Sequence, residues 1–149
     1  MAGIAATTPS GDSRQRPLVM IVDDDREQAE QIATFLSRFG ISVTQEDNGF
    51  AAVNTMRRDR PAVVIMDVRM PGLDGIKAAQ LAANLDYKPK IILMSGYADQ
   101  VKRATEEGLD VFAVVDKPLP LRVLVRFVQN ALNDQESGLA ARRLPGPEC

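Results

Sequence analysis

Four apolar runs in this chain stop on residues that can do chemistry. "PLVMIVD" leads into Asp23, Asp24 and Asp25, "AVVIMD" ends on Asp67, "KIILMS" ends on Ser95, and "VFAVVD" leads into Lys117 and Pro118. Each residue has a structural use when taken alone. The three consecutive acids can cap a following helix, because an aspartate accepts from the free amides of a first turn, and Asp25 is expected to do so. Asp67 can serve the turn at Met70-Pro71-Gly72. Ser95, before Gly96, can be a cap or a turn residue, and Lys117 can be a solvated surface lysine. None of these uses explains why acid, hydroxyl and ammonium all follow apolar runs of strand length. If those runs are parallel strands of one sheet, their carboxyl ends share one edge, where ligands bind. Neighbouring strands lie about 4.8 Å apart, so the acids of the first and third strands would reach one ion. Acids brought together repel unless positive charge sits among them. Lys117 supplies one charge, and a hard divalent cation with oxygen ligands supplies the rest. Magnesium is the abundant choice, with manganese an equivalent. Such a set suits phosphoryl transfer. The aspartate acts as nucleophile and forms an acyl phosphate, the cation offsets growing negative charge, and lysine and serine bind the remaining oxygens. The chain has no histidine, and a carboxylate nucleophile needs no base.

The elements that must position these residues are legible as an alternation. "PLVMIVD" is continuous and β-branched, as a strand buried on both faces should be. In "REQAEQIATFLSRFG", Ala29, Ile32, Ala33, Leu36 and Phe39 recur at helical steps, and Gly40 ends the run. "ISVTQE" is a weaker strand suited to an edge. "GFAAVNTMRRD" predicts a helix with Phe50, Val53 and Met56 inward. "AVVIMD", "KIILMS" and "VFAVVD" are the third, fourth and fifth strands. "DGIKAAQLAANL" predicts a helix ending near Asp86, and "ADQVKRATEEG" a short polar one stopped by Gly108. "LPLRVLVRFVQNAL" predicts a last helix with Leu121, Leu124, Val125, Val128 and Leu132 on one face. The result is a (βα)5 α/β pattern, which implies a parallel sheet covered on both sides. Right-handed crossovers narrow the topology to a doubly wound sheet. The flavodoxin-like strand order 2-1-3-4-5 is the common five-strand solution and sets strands 1 and 3 side by side, although length alone does not exclude other orders.

Composition narrows the function classes. The chain has 149 residues, 45% of them apolar, and a net charge of −2. That length suggests one domain with tails, and the charge offers no field for nucleic acid or an anionic membrane. The single cysteine, Cys149, builds neither a disulfide framework nor a metal cluster. No apolar run approaches the roughly 20 residues of a membrane span, and the N-terminus lacks the basic-then-apolar order of a secretion signal. A soluble cytoplasmic protein is expected. Residues 1–16 and 134–149 read as flexible tails around a domain at 17–133.

"VDDD", "MDVRMPGLDG", "MSGYAD" and "DKP" occur in the order and at the spacing of the response regulator receiver domain, and the chain resembles that CheY-like phosphoacceptor of two-component signalling across residues 17–133. The resemblance implies a magnesium-dependent receiver rather than a conventional enzyme. Asp23 and Asp24 would hold the metal, directly or through water, with the backbone carbonyl of Arg69 as a further ligand. Asp67 would be the phosphoacceptor and a metal ligand, and Ser95 and Lys117 would contact the phosphoryl group. It also implies a cis bond between Lys117 and Pro118. The donor would be a sensor histidine kinase or a histidine phosphotransfer protein. The output would be a change in contacts with a downstream protein, without direct DNA or membrane binding, from a monomer or weak dimer.

One departure stands out. The family places an aromatic residue three before the lysine, where this chain has Val114. Phe112, two residues earlier, is expected on the same sheet face and could substitute one rung lower. Arg69 and Tyr97, each two past a site residue, are expected at the mouth of the site, controlling water access. A phosphoryl group on Asp67 should draw Ser95 inward and bias a surface around residues 96–115. Two other readings compete. A binding module that does not use phosphate has no need of the intact acid, serine and lysine set. An aspartyl-nucleophile phosphohydrolase would need a second acid two residues past the nucleophile, where Arg69 stands. Neither a flavin-type phosphate loop after strand 1 nor a P-loop signature is present.

Overall fold

The computed structural model describes residues 18–96, 106 and 108–134. Among these, five strands alternate with four helices: β1 (Leu18–Val22), α1 (Arg26–Ser37), β2 (Ser42–Glu46), α2 (Gly49–Asp59), β3 (Val63–Asp67), α3 (Gly75–Ala82), β4 (Lys90–Ser95), β5 (Ala113–Asp116) and α4 (Leu121–Asn133). The strands form one parallel sheet in the order β2-β1-β3-β4-β5. β1 and β3 are therefore neighbours, with Val22 beside Met66, and β4 runs beside β3 with Asp67 opposite Met94.

Strand periodicity divides the core into two layers. Met20, Val22, Val64, Met66, Ile91 and Leu93 face α2 and α3, meeting Met56 and Ile76 among others. Val19, Ile21, Val63, Ile65, Ile92 and Met94 face α1 and α4, where Leu36, Leu124 and Val128 cover them. β3 is buried along its whole length, as a central strand with helices on both faces must be. β2 is half exposed and lies at an edge, as its weaker pattern predicts.

Helix starts and stops follow local chemistry. Asp25 caps α1 by accepting from the Gln28 amide at 3.2 Å. Asn48 caps α2 through Ala51 at 2.8 Å, and Asp74 caps α3 through Lys77 at 2.9 Å. α3 stops at Ala82 and passes into turns, earlier than its apolar spacing predicts.

Two inward assignments and one sheet-face assignment are corrected. Phe39 is 48% exposed, because α1 ends at Ser37 and Gly40 takes a positive φ of 77°. The chain leaves the helical period before Phe39, whose ring instead leans on Phe35 at 5.5 Å. Phe50 is 61% exposed. It sits in the first turn of α2, at the rim of the sheet, while Val53 and Met56 are buried as expected. Phe112 is not on the face of Val114. It packs with Ala113 on the α1/α4 layer, whereas Val111 and Val114 pack on the α2/α3 layer. β5 begins only at Ala113, so the alternation is broken between 112 and 113, and Phe112 cannot stand in for an aromatic at Val114. The polar helix expected around residues 98–108 and both expected tails lie largely outside the described residues.

Candidate functional site

The sheet order brings the predicted acids together. Asp23 follows β1 and Asp67 ends β3, and both are buried, at 2% and 7% exposure, while Asp24 is open to solvent. One carboxylate oxygen from each of Asp23, Asp24 and Asp67 lies within 4.8 Å of the others. Lys117 follows β5, and its Nζ donates to Asp67 Oδ1 at 3.2 Å. The Lys117–Pro118 peptide is cis. Ser95 ends β4, is buried, and through its backbone oxygen accepts the Lys117 amide at 2.8 Å. Asp25 is set apart from this group: its side chain caps α1, while its amide donates to Asp23 Oδ1 at 2.9 Å.

Main-chain contacts hold the loop after β3. The Val68 amide donates to the Met94 oxygen at 2.9 Å, and the Gly75 amide returns to the Val68 oxygen at 2.8 Å. Gly75 must be glycine, since a Cβ there would run into the carbonyl oxygen of Asp67. Arg69 stands on this loop, exposed. With Asp24, Val68, Met70, Pro71 and Asp74 it lines an open cavity of about 470 Å³. Tyr97 lies outside the described residues.

Electrostatics mark the acids as under load. Burial pushes the Asp23 carboxyl above the ordinary aspartate range. The Asp25 amide pulls it back in part, and the negative charge of Asp67 pushes it up again. Asp67 is raised too, chiefly by burial, with Lys117 opposing and Asp24 adding to the rise. Asp23 Oδ2 is buried without a hydrogen-bond partner among the described residues, where buried acceptors are normally satisfied. An orphaned carboxylate oxygen beside two other acid oxygens is the donor set of a hard divalent cation, so the residues present fit magnesium or manganese.

Several supporting residues escaped the sequence reading. Glu46 accepts the Asp23 amide through its backbone oxygen at 3.1 Å, and its side chain is held by Thr55 at 2.6 Å. Gly49 packs on the loop after β3. Their only sequence signals are a hydroxyl on the apolar face of α2 and a glycine after its cap.

A doubly wound parallel sheet carrying an acid cluster at its topological switch point places this chain among the flavodoxin-like α/β domains, whose ligands bind at that edge. Comparison with known proteins narrows the class. Residues 19–129 match the response regulator receiver domain family. The chain is 32% identical over 126 residues to the regulatory protein AtoC of Escherichia coli, covering 85% of this chain and 27% of AtoC. It is 27% identical over 114 residues to the response regulator receiver protein CpdR of Brucella abortus, covering 76% of this chain and 95% of CpdR. Among solved structures, a CheY-like receiver domain from Methanospirillum hungatei superposes with a TM-score of 0.76 at 21% identity, covering 83% of this chain and 98% of that one, a likeness of fold. The chain belongs to the response regulator receiver domain family. It spans about a quarter of AtoC. No helix among the described residues is long and apolar enough to cross a membrane.

Proposed function

We propose that this receiver accepts a phosphoryl group on Asp67 and uses it to switch protein contacts. The gathering of Asp67 with Asp23, Asp24 and Lys117 at one sheet edge carries this reading. The donor is a phosphohistidine on a sensor histidine kinase or phosphotransfer protein. A carboxylate oxygen of Asp67 attacks its phosphorus. The O–P bond forms as the P–N bond breaks, and the imidazole leaves with the electron pair and takes up a proton from solvent. Lys117, already bonded to Asp67, is placed to bind one phosphoryl oxygen and to keep the carboxylate oriented for attack. Ser95 is the hydroxyl for another oxygen. Asp23, Asp24, Asp67 and the Arg69 carbonyl would hold magnesium, which when bound offsets the charge that builds on the phosphoryl oxygens.

The readout departs from the family pattern. With Val114 in place of an aromatic and Phe112 on the opposite layer, motion of Ser95 cannot be passed to a ring on that face of β5.

Incubation with radiolabelled acetyl phosphate and magnesium tests the reading. Wild type becomes labelled and Asp67→Ala does not. An unlabelled wild type overturns it and leaves an interaction module that does not use phosphate; full label on Asp67→Ala overturns it by placing the phosphoryl group on another residue. Steady turnover of a small phosphate ester would point instead to a phosphohydrolase.

A further inference from the structure

α2 touches both walls of the acid pocket without lending it a ligand. On the β1 side, Thr55 is 3% exposed and donates its hydroxyl to Glu46 Oε2 at 2.6 Å. Glu46 is the last residue of β2, and its backbone oxygen accepts the Asp23 amide at 3.1 Å. The side chain of Glu46 is thus tied to α2 while its main chain holds the tip of β1. A buried hydroxyl on a helix's apolar face is costly unless it is bonded, and a valine would fill the same space without that cost.

On the other wall, α2 starts hard against the loop after β3. A Cβ at Gly49 would lie 2.5 Å from the Leu73 carbonyl oxygen and 3.0 Å from Leu73 Cβ. That loop is pinned at Val68 and Gly75 by main-chain bonds. Leu73 lies between the pins, where contact from outside the loop sets its height. Gly49 supplies one such contact, and with any larger residue there either the loop or the start of α2 must shift.

We propose that α2 is a brace that fixes the tip of β1, which carries Asp23, relative to the loop after β3 that carries Arg69. Thr55 and Gly49 are positioning residues for divalent-cation binding and, through it, for phosphoryl acceptance. This rests on the phosphoacceptor reading above. Neither residue touches the reacting atoms. A cation with near-ideal octahedral demands tolerates little change in ligand spacing, so small shifts of either wall should appear in affinity.

Isothermal titration of the full chain with magnesium chloride tests the brace, with urea unfolding in chelator as a second readout. Thr55→Val should weaken magnesium binding about 3-fold and Gly49→Ala somewhat more, below the roughly 10-fold or greater cost of losing a group bonded directly to a metal ligand, since both act through an intervening residue. Thr55→Ser, which restores the donor, should recover most of the loss. Tyr87→Phe is the control. Its hydroxyl donates to the Pro61 oxygen at 3.0 Å, just before β3 at the opposite end of the sheet, so it should lose stability while binding magnesium as wild type does. If Gly49→Ala fails to fold, Thr55→Val and its serine rescue decide. Wild-type affinity in Thr55→Val, or no recovery in Thr55→Ser, overturns the brace and leaves the phosphoacceptor reading standing. A wild type that binds no magnesium at millimolar concentration overturns both.

Discussion

Asp23→Asn should make the metal-free protein more stable and the metal-loaded one less responsive. In the absence of a cation, Asp23 and Asp67 are buried carboxylates whose oxygens, with that of Asp24, lie within 4.8 Å of one another. Two unit charges at that separation repel by about 3.5 kcal/mol at an effective dielectric of 20. Lys117 returns part of this through Asp67, and the exposure of Asp24 lets water screen its share. A net strain of about 1–3 kcal/mol remains attributable to the Asp23 charge. Asparagine keeps the Oδ1 acceptor used by the Asp25 amide, removes the charge, and puts an amide donor where the unpartnered Oδ2 stood, beside the other acid oxygens. Urea unfolding in chelator at neutral pH should therefore show the variant more stable by that amount, or about 5 °C or more in Tm. Saturating magnesium should raise wild type by about 2.7 kcal/mol at 100 times its Kd and the variant by much less. The pH dependence follows from the same charges. Burial raises the folded-state pKa of both Asp23 and Asp67, so between the unfolded value of about 3.9 and the raised one the folded chain holds more protons. Their contribution to stability is complete below the unfolded value and is lost as pH rises through the folded one. In chelator, wild type should lose stability as pH climbs from about 4, and Asp23→Asn should lose less. A variant less stable than wild type in chelator, or an equal gain from magnesium in both, would refute this account of the pocket.

Other substitutions separate the roles of neighbouring residues. Lys117→Met removes the positive charge beside Asp67 while keeping a long apolar stem. Magnesium should bind at least as tightly, yet labelling by acetyl phosphate should fall about 100-fold, the cost of losing one preorganised donor; equal labelling would remove Lys117 from the chemistry. Asp25→Ala should cost about 1 kcal/mol through the lost α1 cap and leave magnesium affinity unchanged, since only its backbone amide faces Asp23. A large loss of affinity would show that three acids rather than two hold the metal from this strand.

The alternation of strands and helices, the residues at the strand tips and the Asp25 cap are legible in the sequence, because each depends on local spacing. A period of two or of 3.6 is written into the order of side chains, and a cap needs only the three residues that follow it. The acids, the serine and the lysine could be named for the same reason: each ends a run whose type is local. That these tips meet was an inference from the strand order, and the order is a property of the assembled sheet. It depends on which strand's two apolar faces pack best under which helices, a non-local competition that no single segment encodes.

The misplaced aromatics show the same boundary. Phe50 has helical spacing with Val53 and Met56, but Gly49 rests on Leu73, so the first turn of α2 lies at the rim and the ring faces water. Phe112 shares strand-like spacing with Val114, but β5 starts one residue after it, and the break sends its ring to the other layer. The supports of the acid pocket, Glu46, Thr55 and Gly49, were likewise invisible, because each acts on a residue that is distant in the chain. Local order thus determined which side chains reach the carboxyl edge of the sheet. Only the tertiary structure decided how far apart they are held: pairing of β1 with β3 sets Val22 beside Met66 and so brings Asp23 next to Asp67, a spacing fixed by contacts between segments rather than within them.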